Sequence, residues 1–162
     1  MTPEHPLSET EDARRSIKRL LLAAQDMNDC SAAAAELLTR IAPSSLARAL
    51  ETAIVVCYAR PWGRSNRIGA LEARWGPETP EDLALHEELI RLRDKVYAHT
   101  DDEIKARDIE DMSELLGTNH PVFAPGWHPI ETEALPRIAA LAEAQRARFL
   151  RGARELSVNL TR

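Results

Sequence analysis

No run of about 18 apolar residues occurs in this chain, so nothing in it reads as a membrane-spanning helix. Cysteine is scarce: only Cys30 and Cys57 are present, both in apolar, helix-like surroundings, and no CxxC pair exists. The first residues, MTPEHPLSETEDARR, are polar and acidic and lack the apolar stretch of a secretory signal. These absences lead to the expectation of a reduced, cytoplasmic protein. Cys57 is expected to be packing rather than a nucleophile. Neither GxGxxG nor a Walker loop occurs, which removes the two commonest phosphate-cradling loops, and no internal repeat is present. Lysine is limited to Lys18, Lys95 and Lys105, so positive charge is carried mainly by arginine. The net charge is -5 and the pI about 5.6, the reverse of the balance in an indiscriminate duplex binder. A local basic patch remains compatible with that total.

What is present is a helical pattern. At 162 residues and 44% hydrophobic, the chain has enough apolar material for one domain with a full core. Residues 1–7 read as a flexible arm. Ser8-Glu9-Thr10-Glu11 has capping-box spacing and should open a helix. Ile17, Leu20, Leu21, Ala24, Met27, Ala34, Leu37, Leu38 and Ile41 recur at three and four residues, which predicts one long helix to about residue 41. A break near Asn28 and Asp29 is the alternative. Pro43 should end it and open a second helix, with Leu46, Leu50, Ala53, Ile54 and Cys57 buried and Pro61 as the stop. The β-branched stretch after Glu51 could also form a strand, but the helical spacing from Leu46 favours helix.

Thr79-Pro80-Glu81-Asp82 combines a cap, a proline at the first helical position and acids in the first turn. The third helix should run to about His99, burying Leu85, Leu89, Leu92 and Val96. An adjacent stripe of His86, Ile90, Arg93 and Tyr97 is expected to face a second copy of the chain. A shorter helix from Asp101 to Gly117 is predicted next. The last helix opens at Leu135-Pro136. Its inner side should carry Ile138, Leu141, Ala142, Gln145, Phe149, Gly152 and Leu156, and its outer side Arg146, Arg148, Arg151 and Arg154 as a solvated basic face. The expected class is all-α: a bundle of four main helices plus a shorter one, with two long loops.

The first loop, residues 61–79, interleaves Trp62 and Trp75 with Arg64, Arg67 and Arg74, and Arg60 lies beside it. Arginine next to tryptophan can hold phosphate and stack bases, so Arg60, Arg64, Arg67 and Arg74 are the candidate RNA-binding residues. Tryptophans also anchor long loops on a bundle, and that is the plainer expectation for Trp62 and Trp75. The second loop, residues 117–130, holds His120 and His128. The loop itself contains no acid or cysteine to complete a metal site, so no metal centre and no cofactor are expected.

The segment LHEELIRLRDKVYAHTDDE, residues 85–103, carries the candidate chemistry. Arginine is a permanent, forked phosphate clamp. Histidine exchanges protons near neutral pH. Arg93 and His99 are six positions apart, which at 100° per residue sets them about 120° apart around a straight helix. Either the helix loosens near Ala98, or the site is assembled from two chains.

LRDKVYAH resembles the signature of the HEPN superfamily, with Arg93, Asp94 and His99 matching its arginine, polar residue and histidine. LHEELIRL, TDDE and CYARPW (residues 57–62) look like its abortive-infection branch. The likeness covers roughly residues 45–105. It implies a single HEPN-like domain over residues 1–162 and a homodimer through the helix of residues 80–99. It also implies metal-independent cleavage of RNA in phage defence or a toxin–antitoxin pair, with an antitoxin or defence-system protein as partner. His99 would act as general base or acid, Arg93 would hold the charge on the phosphate, and Asp94 would orient its neighbours. Other members of the superfamily only bind RNA, nucleotides or proteins, which is the alternative reading.

Overall fold

The computed structural model describes residues 9–39, 44–63, 69–94, 109–111, 123–125 and 130–160. These residues are mainly helical: α1 (Glu9–Thr39), α2 (Ser44–Ala59), α3 (Pro80–Leu92) and α4 (Leu135–Leu160). Short 3-10 turns occupy Arg60–Trp62, Ala73–Trp75 and Thr132–Ala134. No helix among the described residues is long and apolar enough to cross a membrane.

α1 is one unbroken helix of 31 residues, roughly 46 Å long at 1.5 Å per residue. It continues through Asn28 and Asp29, so the alternative of a break there is excluded. Its buried line runs Leu20, Ala23, Ala24, Met27, Cys30, Ala33 and Ala34, a spacing of three and four residues that keeps one side on the core. Leu21 and Leu38, expected inside, are 49% and 41% exposed. The alanines and Cys30 take their place. Small side chains let α1 lie close along α4, its most extensive partner, and α2 packs against α1 as well.

α4 follows its predicted face closely, burying Ile138, Leu141, Ala142, Gln145, Phe149 and Gly152. α2 is rotated from expectation. Glu51, Ile54, Val55, Tyr58 and Ala59 are buried, while Leu46 is 40% exposed. Leu50, Ala53 and Cys57 are half-buried at the margin. The buried row still has helical spacing, but it centres on Ile54 and Tyr58, which share one core with residues of α1 and α4.

Thr79 caps α3 as predicted, its hydroxyl accepting from the Asp82 N–H at 3.1 Å, with Pro80 following. Leu89 is the one fully buried residue of this helix; Leu85 and Leu92 are half-buried. α3 rests chiefly on α2 and is the most lightly seated helix described.

The predicted helix from Asp101 to Gly117 does not run unbroken. Ile109–Asp111 is a strand, β1, paired antiparallel with β2 (Phe123–Pro125), with Ile109 opposite Pro125 and Asp111 opposite Phe123. β-branched and aspartate residues are weak helix formers, and the strand partner supplies backbone hydrogen bonds that a single turn of helix would otherwise make. Among the described residues this strand pair is the exception to helices and short turns. The rest of that predicted helix, together with Val96 and Tyr97, lies outside the described residues.

The first loop is anchored, as its tryptophans suggested. Leu71 N–H donates to the Pro61 carbonyl at 2.9 Å, tying the middle of the loop back to its start. Trp62 packs on Phe149 with ring centroids 6.0 Å apart. Trp75 lies against α4 at Gly152, where an added Cβ would stand 2.3 Å from the indole Cη2. Arg148 does not belong to a solvated face: it donates to the Arg74 carbonyl at 2.7 Å and pairs with Glu78 at 2.6 Å, clasping the loop to α4.

Gly152→Ala therefore sets two effects against each other. Alanine gains about 1 kcal/mol over glycine in a helix interior. The overlap with a rigid indole costs about 1–3 kcal/mol. A net loss of stability in a denaturant melt is expected, with part of it recovered when Trp75→Leu is added. A stabilised Gly152→Ala variant would mean that Trp75 is not seated on Gly152.

Candidate functional site

The α2 end and the α3 end of the resemblance come together. α2 supplies Tyr58; the turn after it supplies Trp62 and Gly63; α3 supplies His86 and, at its C-terminal end, Arg93 and Asp94. The Arg93 guanidinium reaches over the α2 end: its Nη2 lies 3.9 Å from where a Cβ on Gly63 would stand. Arg93 Nη1 also donates to Asp94 Oδ1 at 2.6 Å, with the arginine side chain 30% and the aspartate side chain 53% exposed. At that exposure the pair contributes little to stability. It does orient the guanidinium.

The helix changes its winding at this point. The Arg93 N–H is shared between the Leu89 and Ile90 carbonyls, and Arg93 and Asp94 are wound as a wider, π-type turn. Such bulges interrupt the regular ladder and are frequent at functional positions. The winding near Ala98, where a loosening was one of two expectations, lies outside the described residues. His99 lies outside the described residues, as do Lys95 and Thr100.

His86 is the residue that sequence reasoning misplaced. It was assigned to a stripe facing a second copy. It is instead turned inward, with Nδ1 3.1 Å from the Tyr58 hydroxyl. Its ring meets Trp62 edge-on with centroids 4.9 Å apart. Burial holds its pKa below the usual histidine range, and nearby Glu87 opposes this only weakly. Burial also raises the Tyr58 phenol well above its ordinary value, so this hydroxyl keeps its proton. A signal was available: His86 lies three residues before the one buried leucine of α3, so it shares the inner flank of that helix.

The candidate RNA-binding arginines separate. Arg60 donates to Asp26 at 2.6 Å, against the side of α1. Asp26 is 8% exposed, and its pKa is raised because desolvation outweighs the adjacent guanidinium. Arg74 is exposed, pairs with Glu72 at 3.1 Å and lies 5.5 Å from the Trp75 ring centroid, a cation–π placement. Arg64 and Arg67 lie outside the described residues, as do His120 and His128. Burial pushes the Cys30 thiol up to about 12 and raises Cys57 as well, so neither has the character of a nucleophile. Among the described residues, no group of three or more His, Cys, Asp or Glu side chains is placed to hold a metal ion.

Chemically, the arrangement offers a forked cation at a helix end, oriented by its own aspartate. Two turns earlier on the same helix, His86 is held against the buried Tyr58 phenol. No protein-family model, curated protein or solved structure matches the chain.

Proposed function

We propose that the chain is a HEPN-like, metal-independent endoribonuclease working as a homodimer in phage defence or a toxin–antitoxin pair. The observation that supports this reading is the convergence of its two signature segments. CYARPW ends α2, RLRD ends α3, and Arg93 bridges them over Gly63.

In this mechanism His99 takes the proton of a ribose 2′-hydroxyl. The 2′-oxygen attacks phosphorus and the bond to the 5′-oxygen breaks. The leaving oxygen is protonated by an imidazolium, which the second copy's His99 can supply. Arg93 stabilises the charge that builds on the phosphoryl oxygens, and Asp94 keeps the guanidinium oriented. The chemistry needs the 2′-hydroxyl, so RNA is cut and DNA is spared.

The Arg93–Asp94 ion pair also favours a second reading, a non-catalytic module that binds RNA, a nucleotide or a protein. There the guanidinium serves only as an anchor. Incubating wild type and Arg93→Ala with mixed RNA in EDTA separates the two. The nuclease reading expects cleavage by wild type and a loss of about 10²–10³-fold in the variant. The binding reading expects intact RNA with both. Light scattering at micromolar concentration should give a dimer mass. A monomer that still cleaves would remove the shared cleft from the mechanism.

A further inference from the structure

α3 carries Arg93, yet among the described residues it is the helix with the least holding it. Leu89 is its single fully buried residue, and α2 is its main support. A polar tie to α2 is the contact between His86 Nδ1 and the Tyr58 hydroxyl. Tyr58 is fully buried, so its hydroxyl hydrogen has no access to water and needs an acceptor inside the protein. The Nδ1 lone pair is the acceptor in place. This assigns the imidazole as neutral, with its proton on Nε2.

We propose that His86 is a positioning residue: as a neutral acceptor it pins α3, and with it Arg93, to the end of α2, and its protonation releases the pin. A proton on Nδ1 would set an N–H donor against an O–H donor. The phenol would have to turn, leaving its hydrogen unpaired in the core. The imidazolium itself would sit half-buried against Trp62.

Among the described residues, the groups around the ring do not compensate. From α2 the titratable neighbour is Tyr58, which stays protonated. From α3 itself, Glu87 lies close enough to favour the cation but is outweighed by burial, and Asp82 acts on Tyr58. The turn after α2 brings Trp62, and α4 brings Phe149 behind it; neither titrates. The sign follows. The docked state binds a proton less readily than the undocked one, so docking is complete above the ordinary histidine pKa of about 6.5. It weakens as pH falls below that value, until the docked imidazole itself titrates.

The purpose of the pin, presenting Arg93 to a phosphate, rests on the ribonuclease reading; its test does not. Amide hydrogen exchange of the full chain should be followed at pH 7.5 and 5.5, corrected for the intrinsic pH dependence of exchange. Protection in α3 is expected to fall at least about fivefold on acidification, the worth of one hydrogen bond, while α1 and α4 stay unchanged. His86→Gln should abolish the pH step. Tyr58→Phe should lower α3 protection at pH 7.5 and shrink the step. Exchange in α1 and α4 reports whether each variant is folded, and if one is not, the other decides. Equal α3 protection at both pH values in the wild type would overturn the proposal, as would a full-sized step in a folded variant. Failure here would leave RNA cleavage by Arg93 and His99 standing. Absence of cleavage would leave the pin standing.

Discussion

Replacing Phe149 with alanine is expected to destabilise the protein by about 3–5 kcal/mol, the range for deleting a buried aromatic ring. Phe149 is fully buried on α4, where it meets Trp62 and belongs to the same core as Leu20, Met27, Ile54 and Tyr58. Those neighbours sit on α1 and α2, and α1 is held along most of α4. Two long helices cannot close a ring-sized cavity without parting elsewhere, so little of the lost packing is regained. The midpoint of a denaturant melt should fall with its slope unchanged, as for a change in stability alone. Leu150→Ala, one residue on and 40% exposed, serves as the control and should change stability by no more than about 0.5 kcal/mol. A loss below about 1 kcal/mol for Phe149→Ala would mean that the core is not centred on this ring. Because Phe149 backs Trp62, and Trp62 backs His86, the variant should also loosen α3 more than α1.

The second large effect concerns His99. His99→Ala should abolish RNA cleavage, a loss of at least about 10³-fold, while the melting midpoint moves little. Proton transfer by a placed side chain contributes about 10²–10⁴-fold. In the proposed dimer one substitution removes both the base and the acid, so the two losses fall together. His99→Gln should not restore activity, since an amide can accept a hydrogen bond but cannot move a proton near neutral pH. Arg93→Lys should recover only part of what Arg93→Ala loses, because an ammonium keeps the charge without the fork. Cleavage of equal rate by wild type and His99→Ala would trace to a contaminating nuclease and end the catalytic assignment.

The two long helices were legible in the sequence because a single side of each meets one broad partner. α1 and α4 follow spacings of three and four residues for most of their length, and Thr79-Pro80 marks the start of α3. The rest failed where local pattern and tertiary contact diverge. α2 is apolar on more than one side, so its pattern could not tell that Tyr58 and Glu51 face inward while Leu46 faces out. Ile109–Asp111 has enough apolar spacing for a helix, but its pairing with Phe123–Pro125 depends on a segment a dozen residues away. In the site, the spacing of Arg93 and His99 left two solutions open, a loosening near Ala98 or a site built from two chains, and local pattern cannot choose between them. His86 was missed because its partners, Tyr58 and Trp62, lie in a different helix and the turn after it. Only the docking of α3 reveals that this imidazole is turned inward rather than presented to a second chain.

The most direct measurement is the chemistry of the cut ends. Purified wild type should be incubated in EDTA with an end-labelled RNA, and in parallel with the same RNA carrying a 2′-deoxyribose at the main cleavage position. Attack by a ribose 2′-hydroxyl predicts products ending in a cyclic phosphate and a 5′-hydroxyl. It also predicts that the deoxy substrate stays intact at that position and that His99→Ala yields neither product. Products with a 5′-phosphate, or cleavage of the deoxy substrate at the same position, would contradict the account.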